Sequence, residues 1–515
     1  MAMTKPTSEQ VTFLQTGTGA TARTVDAKLK DTVSVKDFGA VGDGTTNDTA
    51  AIQAAIDAIG ASGGTVLFPA GIYLGYAFVW KNNVALVGAG SSITTIKLPN
   101  STASVTKPAD PFPTTASYVP SVLEIGQCAM GNAATAFSGF VLSGMTIDAN
   151  KANNVVPTSD LGWHGVILTK MSNYTIDDVR VINAHNAGID LVINSNFGIV
   201  SAKVFSCGNA THTAPGFDIN SSKYLIIDVI SDSCYIGCRS QDNCWGNNIS
   251  ASVYNSTSHG FVYSNQTVNQ SYDNIIDATI ITCGGHGFVL GPNCKSSDLA
   301  ITVIDSADTG ITTGTIALAY RPSNNIIDIT TRSSQNGGVV LQGTANMIIH
   351  QSYLDGRFGA QGTSFACDIT GDDNTIEAII IDSATWQVRG VAIRAGSSNN
   401  TIKSLSYTYT ANPYSDVGTG TKITRVGYTT IASANTINPP TLESVASITG
   451  VTGIVSITAS VQNTGQILTL IFAGVLTVYD GSNLRLNTNF VTAANSTLVL
   501  VCDGTNWYEI SRSNN

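Results

Sequence analysis

Two aspartates and an arginine occupy one repeated position in this sequence. Asp190, Asp218 and Arg239 each follow a glycine by two residues, in the words Gly-Ile-Asp-Leu, Gly-Phe-Asp-Ile and Gly-Cys-Arg-Ser. If equivalent residues of successive repeats lie side by side, the two carboxyls are neighbours. Carboxylates that close raise one another's proton affinity and repel, which costs stability but suits acid–base work. Glycosidic bond hydrolysis uses such a pair, about 5–5.5 Å apart for retention of configuration and about 6.5–9.5 Å for inversion. Arg239 can hold an anionic sugar or keep one aspartate ionised. The plainer readings are a solvated ladder whose charges are merely tolerated, or Arg239 paired with Asp218.

A count narrows the alternatives. Glutamate occurs only at 9, 124, 377, 443 and 509, so a carboxyl pair on the repeats is Asp with Asp, or reaches out to Glu124 or Glu377. Asp160, Asp242 and Asp355 fall on turns or insertions. Trp163, Trp245 and Trp386 lie near polar, turn-rich segments, where a flat ring can carry a sugar or pack on the wall. His164, His259 and His286 each precede a glycine, and His164 beside Trp163 and Asp160 is the one that extends the candidate site. Asp160, Trp163, His164, Asp242 and Trp245 are therefore the substrate-binding candidates. Asp177, Asp228 and Asp277 form an outer-face ladder on second strands. No metalloprotease, nucleophile-elbow, phosphate-loop or calcium-loop pattern appears, so neither metal nor cofactor is expected.

The elements that must position these residues follow from the glycines at 165, 188, 216, 237, 260, 287, 310 and 338, spaced by 23, 28, 21, 23, 27, 23 and 28 residues. The residue after each is apolar, from Val166 to Val339, and so are most of those three after it. This alternation makes a strand with one buried face. Repeats of roughly 20–50 residues build solenoids or propellers, and this period is too short for a four-stranded blade. With no helical spacing inside the copies, stacked coils of parallel strands remain: a parallel β-helix. Of the nine cysteines, Cys207, Cys234 and Cys283 end second strands and stack as small core residues. Cys234, Cys238 and Cys244 resemble a metal cluster, but Cys238 falls on an inward position, so core packing is favoured. The odd, scattered set, without a secretion signal, points to folding in a reducing cytoplasm. Lys+Arg 25 against Asp+Glu 35 gives a net charge of −10, which disfavours a nucleic-acid partner. No stretch reaches membrane-spanning length.

Residues 1–32 read as a polar lead with a short helix over 23–30. In residues 33–74, Asp48 caps an amphipathic helix that Gly60 stops, and short strands follow; Asp37, Asp43 and Asp48 are turn and cap residues. The block DFGAVGDGTTNDTAAIQAAID followed by GGTVLFPAGIY is similar to the opening segment of pectate-lyase-like right-handed β-helices. TARTVDAKLKDTVSVKDFGA ahead of it resembles the form this block takes in bacteriophage tail spikes. Two aperiodic insertions, 99–121 and 149–163, interrupt the coils. Beyond Asn438-Pro439-Pro440 the alternating strands of 429–515 make a separate β-sandwich similar to the closing module of many tail spikes, with Trp507 and Tyr508 as packing residues.

The fold expected is all-β: a right-handed parallel β-helix with a short N-terminal capping helix and a C-terminal antiparallel β-sandwich. The domains are 1–32 for virion attachment, 33–428 for the β-helix and 429–515 for trimerisation or carbohydrate contact. The resemblance implies a tail spike that folds in the host cytoplasm and acts on the virion tail. It implies a homotrimer, tied through its N-terminus to a tail or baseplate adaptor, that binds bacterial capsule or O-antigen polysaccharide. Hydrolysis by Asp190 and Asp218 is the first expectation. A lyase, or an adhesin without catalysis, is the alternative.

Overall fold

The computed structural model describes residues 5–59, 63–76, 78, 81–101, 121–125, 136–154, 164–210, 213–265, 269–313, 321–332, 338–354, 365–381, 389–408, 414–416, 418–419, 421–423, 428–439, 444–459 and 463–514. Its regular structure is almost wholly β, in two compact units: Met1–Ile329 with Ser333–Gln335, and Thr330–Arg332 with Asn336–Asn515.

In the first unit a short helix, α1 (Val25–Leu29), is capped by Thr24. The amphipathic helix α2 (Thr49–Ala58) buries Ile52, Ala55 and Ile56 beside the strand Thr32–Ser34. Asp48 stands at the N-cap of α2 but does not cap it. Its carboxylate instead accepts the amides of Val41 at 2.6 Å and Gly42 at 3.0 Å, holding the preceding turn against the helix. Asp43 and Asp37 fill the turn roles expected of them.

The coils follow. Glycine-led strands β1 (Val166–Thr169), β3 (Ile189–Val192), β5 (Pro215–Asn220), β7 (Ile236–Gln241), β9 (Phe261–Ser264) and β11 (Phe288–Leu290) pair in parallel, each with the next. Between them run β2 (Met171–Ile182), β4 (Asn196–Phe205), β6 (Ile226–Asp232), β8 (Asn248–Ser256), β10 (Ile275–Cys283) and β12 (Asp298–Ser306), which form a second parallel sheet. Inward residues stack like on like, as in the buried row Val229, Ala251, Ala278 and Ile301. Cys207, Cys234, Cys238, Cys244, Cys283 and Cys294 are all free and buried, so the core reading holds for them. Among the described residues no His/Cys/Asp/Glu group could hold a metal ion.

Steric crowding explains the leading glycines. A Cβ on Gly188 would lie 2.3 Å from Val204 Cγ1 and 2.8 Å from the Gly216 carbonyl oxygen; on Gly260 it would meet Ile280 Cγ2 at 2.4 Å and the Gly287 carbonyl at 2.5 Å. The two strands of a coil approach there too closely for any side chain. Buried asparagines join the coils at the turns before β8, β10 and the strand Ile326–Arg332. Asn274 Oδ1 accepts the Asn247 amide at 3.1 Å while its Nδ2 donates to the Cys244 carbonyl at 2.9 Å, and Asn325 repeats the pattern with Ser297 and Cys294. Buried backbone groups need such partners.

The second unit carries parallel pairs of the same kind, including Val339–Ala345 with Phe365–Asp372, and Ile348–Leu354 with Thr375–Ile381. Its C-terminal strands are β13 (Tyr428–Ala432), β14 (Val445–Thr449), β15 (Ile467–Phe472), β16 (Thr497–Cys502) and β17 (Trp507–Ser513). β15, β16 and β17 are antiparallel as expected, whereas β13, β14 and β15 run parallel, so the sheet is mixed. Trp507 is fully buried, with its indole N–H on the Thr458 carbonyl at 3.2 Å.

Candidate active site

The odd-numbered sheet brings the candidate residues into one row. In register across the coils stand Glu124, Ile167, Asp190, Asp218, Arg239 and Val262. The aspartates sit on neighbouring parallel strands, whose spacing is about 4.8 Å. They point away from the core, because Ile189, Leu191, Phe217 and Ile219 on either side fill it. Yet Asp190 is only 6% and Asp218 3% exposed, so the row is covered and is not a solvated ladder.

Arg239 reaches back over Asp218 in a bidentate contact, Nε to Oδ1 at 3.0 Å and Nη2 to Oδ2 at 2.5 Å, while Nη1 donates to the Thr213 carbonyl at 3.2 Å. All three guanidinium nitrogens are therefore engaged within the chain. This is the strongest kind of charge-assisted hydrogen bond, and it fixes the carboxylate in one plane. Buried Asp242 turns the chain at the end of β7 with φ of 53°, and its charge adds to the field that favours the Arg239 cation.

His164 approaches Asp190 from the other side, Nδ1 to Oδ2 at 3.4 Å. Neither His164 Nδ1 nor Asp190 Oδ1, both buried, makes a hydrogen bond. Burial, reinforced by the nearby Asp218 charge, pushes the Asp190 carboxyl well above its usual range, so it keeps a proton that exposed carboxyls lose. Burial and then Arg239 push His164 down to about 3, leaving a neutral imidazole. The cluster therefore combines a protonated carboxyl, a carboxylate clamped by a guanidinium and a neutral ring. A buried carboxyl whose proton affinity is raised is the kind of group that serves as a general acid.

The remaining candidates scatter. Asp160 and Trp163 lie outside the described residues, as do Asp355 and Trp386. Trp245 is taken up by a ring cluster, stacked on Tyr272 at 5.1 Å and tilted against Tyr224 at 5.5 Å, with Lys223 Nζ 4.0 Å from its centroid. These neighbours occupy the ring faces a sugar needs. His259 and His286 stack at 5.2 Å, and His259 Nδ1 accepts the His286 amide, in the turn role expected of them. Sequence reasoning missed the asparagine row and the ring stack, although Asn247 just before β8, Asn274 just before β10 and Asn325 before the strand Ile326–Arg332 are a readable signal.

Residues 32–293, which include every residue of this cluster, match the family described as rhamnogalacturonase A/epimerase, pectate lyase-like. The mannuronan C5-epimerase AlgE3 of Azotobacter vinelandii is 33% identical over 222 residues, 37% of this chain and 11% of that protein. Alginate lyase 7 of the same organism is 54% identical over 74 residues, 13% of this chain and 9% of that protein. The chain thus spans a small part of these relatives. Among solved structures, the tailspike of E. coli bacteriophage HK620 in complex with pentasaccharide is similar at a TM-score of 0.49 and 13% identity, over 80% of this chain and 82% of that one. With half of its length matched, the chain belongs to the rhamnogalacturonase A/epimerase, pectate-lyase-like family.

Proposed function

We propose that this chain is a bacteriophage tail spike that binds and cleaves a bacterial surface polysaccharide, capsule or O-antigen, as a retaining glycoside hydrolase. The observation that carries the reading is buried Asp190 in register beside the guanidinium-clamped Asp218, with burial raising the proton affinity of Asp190. Asp190 gives its proton to the glycosidic oxygen as the C1–O bond breaks, while Asp218 attacks C1 and forms an ester. Water then displaces the ester, returning a proton to Asp190. The strand spacing of about 4.8 Å suits the 5–5.5 Å of the retaining mechanism. Arg239 acts as a positioning residue, aligning Asp218 and weakening its bond to substrate once the ester forms. His164 and Asp242 line the approach. In this reading residues 1–32 join a tail adaptor, three copies assemble on the virion tail, and the mature spike acts outside the cell. The opening block and the family support it.

Digestion of host surface polysaccharide, read by product mass and ultraviolet absorbance, tests this. Shortened chains without new absorbance are expected from the wild type, and Asp218→Asn should lose them. Cleavage retained in Asp218→Asn would exclude this site.

A second reading rests on the similarity to mannuronan C5-epimerases and on the neutral His164. Here the imidazole removes the C5 proton of a uronate, followed by return of a proton or by β-elimination. Deuterium at C5 after reaction in D2O, or unsaturated product ends, would favour it over hydrolysis.

A further inference from the structure

The outer face of the even-numbered sheet carries a groove of about 520 Å³ across β2, β4 and β6, on another face of the coils from the Asp190 cluster. Three rows meet in it. Asp177, Ser201 and Asp228 make an acidic and hydroxylic row; Arg180 and Lys203, directly paired across β2 and β4, make a basic one; Phe205 closes the far side. Both cations are exposed, and among the described residues neither is in an ion pair, even with the groove's own carboxylates. Two like charges placed opposite one another on neighbouring strands repel. That arrangement is unusual in a chain with only 25 basic residues and a charge of −10.

The surroundings hold the groups in place. The Arg180 guanidinium lies 4.7 Å from the Phe205 ring centroid, a cation–π contact that orients it. The register of β2 against β4 slips between Ile176 and Val179, and Asp178, inside the slip, has φ of 47°. Its carboxylate accepts the Ser91 hydroxyl at 2.7 Å, pinning one wall. Bulges of this kind re-aim side chains and cluster near functional sites.

We infer that this groove is a second glycan-binding site, for a uronic acid residue of a polysaccharide chain. The recognition chemistry is specific to such a unit. Its carboxylate meets Arg180 and Lys203, and its hydroxyls donate to Asp177 and Asp228 and accept from Ser201. A bare anion would face the carboxylates, and a neutral sugar would leave both cations unmatched. The inference rests on the polysaccharide reading above but not on its chemistry: a grip here holds a long chain on the coils while the Asp190 cluster acts on it.

Titration calorimetry with oligogalacturonate, and with dextran oligomers of equal length as the neutral probe, tests it. The wild type should bind the oligogalacturonate. The double variant Arg180→Gln/Lys203→Gln should bind it at least about tenfold more weakly, a loss of about 1.4 kcal/mol. Ser201→Tyr, which fills the groove without altering charge, should weaken binding as well. Asp218→Asn should bind like the wild type, which separates this site from the catalytic proposal. Wild-type affinity in the double variant, equal binding of dextran, or no binding by the wild type would each overturn the inference, whatever the cleavage assays show.

Discussion

At the scale of single residues, the Asp190–Asp218–Arg239–His164 cluster is a buried charge network, and its parts respond differently to change. Arg239→Lys keeps the charge but loses the planar fork, so Asp218 is no longer held in one orientation. Activity should fall by at least tenfold with KM little changed. Arg239→Ala strands a buried carboxylate and should destabilise the fold by about 3–5 kcal/mol in denaturant melts. His164 sets a pH dependence whose sign is fixed. Its pKa is lowered from 6.5 to about 3, so the unfolded chain binds the extra proton and stability is lost as pH falls between those values. His164→Gln should flatten that acid limb. Asp190 acts oppositely: its raised pKa means the folded form holds the proton, and stability falls as pH rises through the window above the ordinary carboxyl range. Melts of Asp190→Asn across pH should lack this decline. The aspartates and arginine were legible in the sequence because their place relative to the glycines fixes their register. Their burial was not, since cover over a sheet face comes from residues distant in the chain. The contact of His164 was half legible: its place before Gly165 marked it, but its aim at Asp190 depends on the next coil.

At the scale of elements, the glycine and asparagine rows decide whether coils stack. Gly260→Ala places a methyl group 2.4 Å from Ile280, and overpacking of that kind costs about 1–3 kcal/mol. Asn274→Ala leaves the Asn247 amide buried without its partner, an omission costing about 1–3 kcal/mol, while the Cys244 carbonyl keeps the Tyr272 amide. Thermal melts of the two variants should show both losses, and their sum in the double variant should depart from additivity because both positions sit on one coil, where Asn274 Nδ2 donates to the Tyr263 hydroxyl of β9. The strands were legible from alternation alone. The reason for glycine was not, because crowding between β9 and β10 depends on a distance that no local pattern encodes. Asp48 shows the converse: a residue of the right type at a helix start spends its carboxylate on the turn before it.

At the scale of the whole molecule, the C-terminal strands enclose their own core. Residues from Ile437 to Trp507, including Leu468, Leu470, Phe472, Leu498 and Leu500, form one buried cluster. Residues 429–515 expressed alone should therefore give a cooperative melt and the blue-shifted fluorescence of a buried Trp507; a disordered spectrum would overturn that boundary. The alternation made these strands visible in the sequence. Their mixed directions were hidden, because hydrophobic alternation is identical for parallel and antiparallel neighbours.

The register of the odd-numbered sheet has an evolutionary consequence. A solenoid tolerates gain or loss of a whole coil, since each coil touches only its neighbours. Such events would pass with little harm along much of the repeat, and lineages should differ in coil number there. Between Gly188 and Gln241 they would not: an extra coil would part Asp190 from Asp218 or carry Arg239 beyond reach. On the proposed function, that interval of three coils is the one whose length descent must preserve.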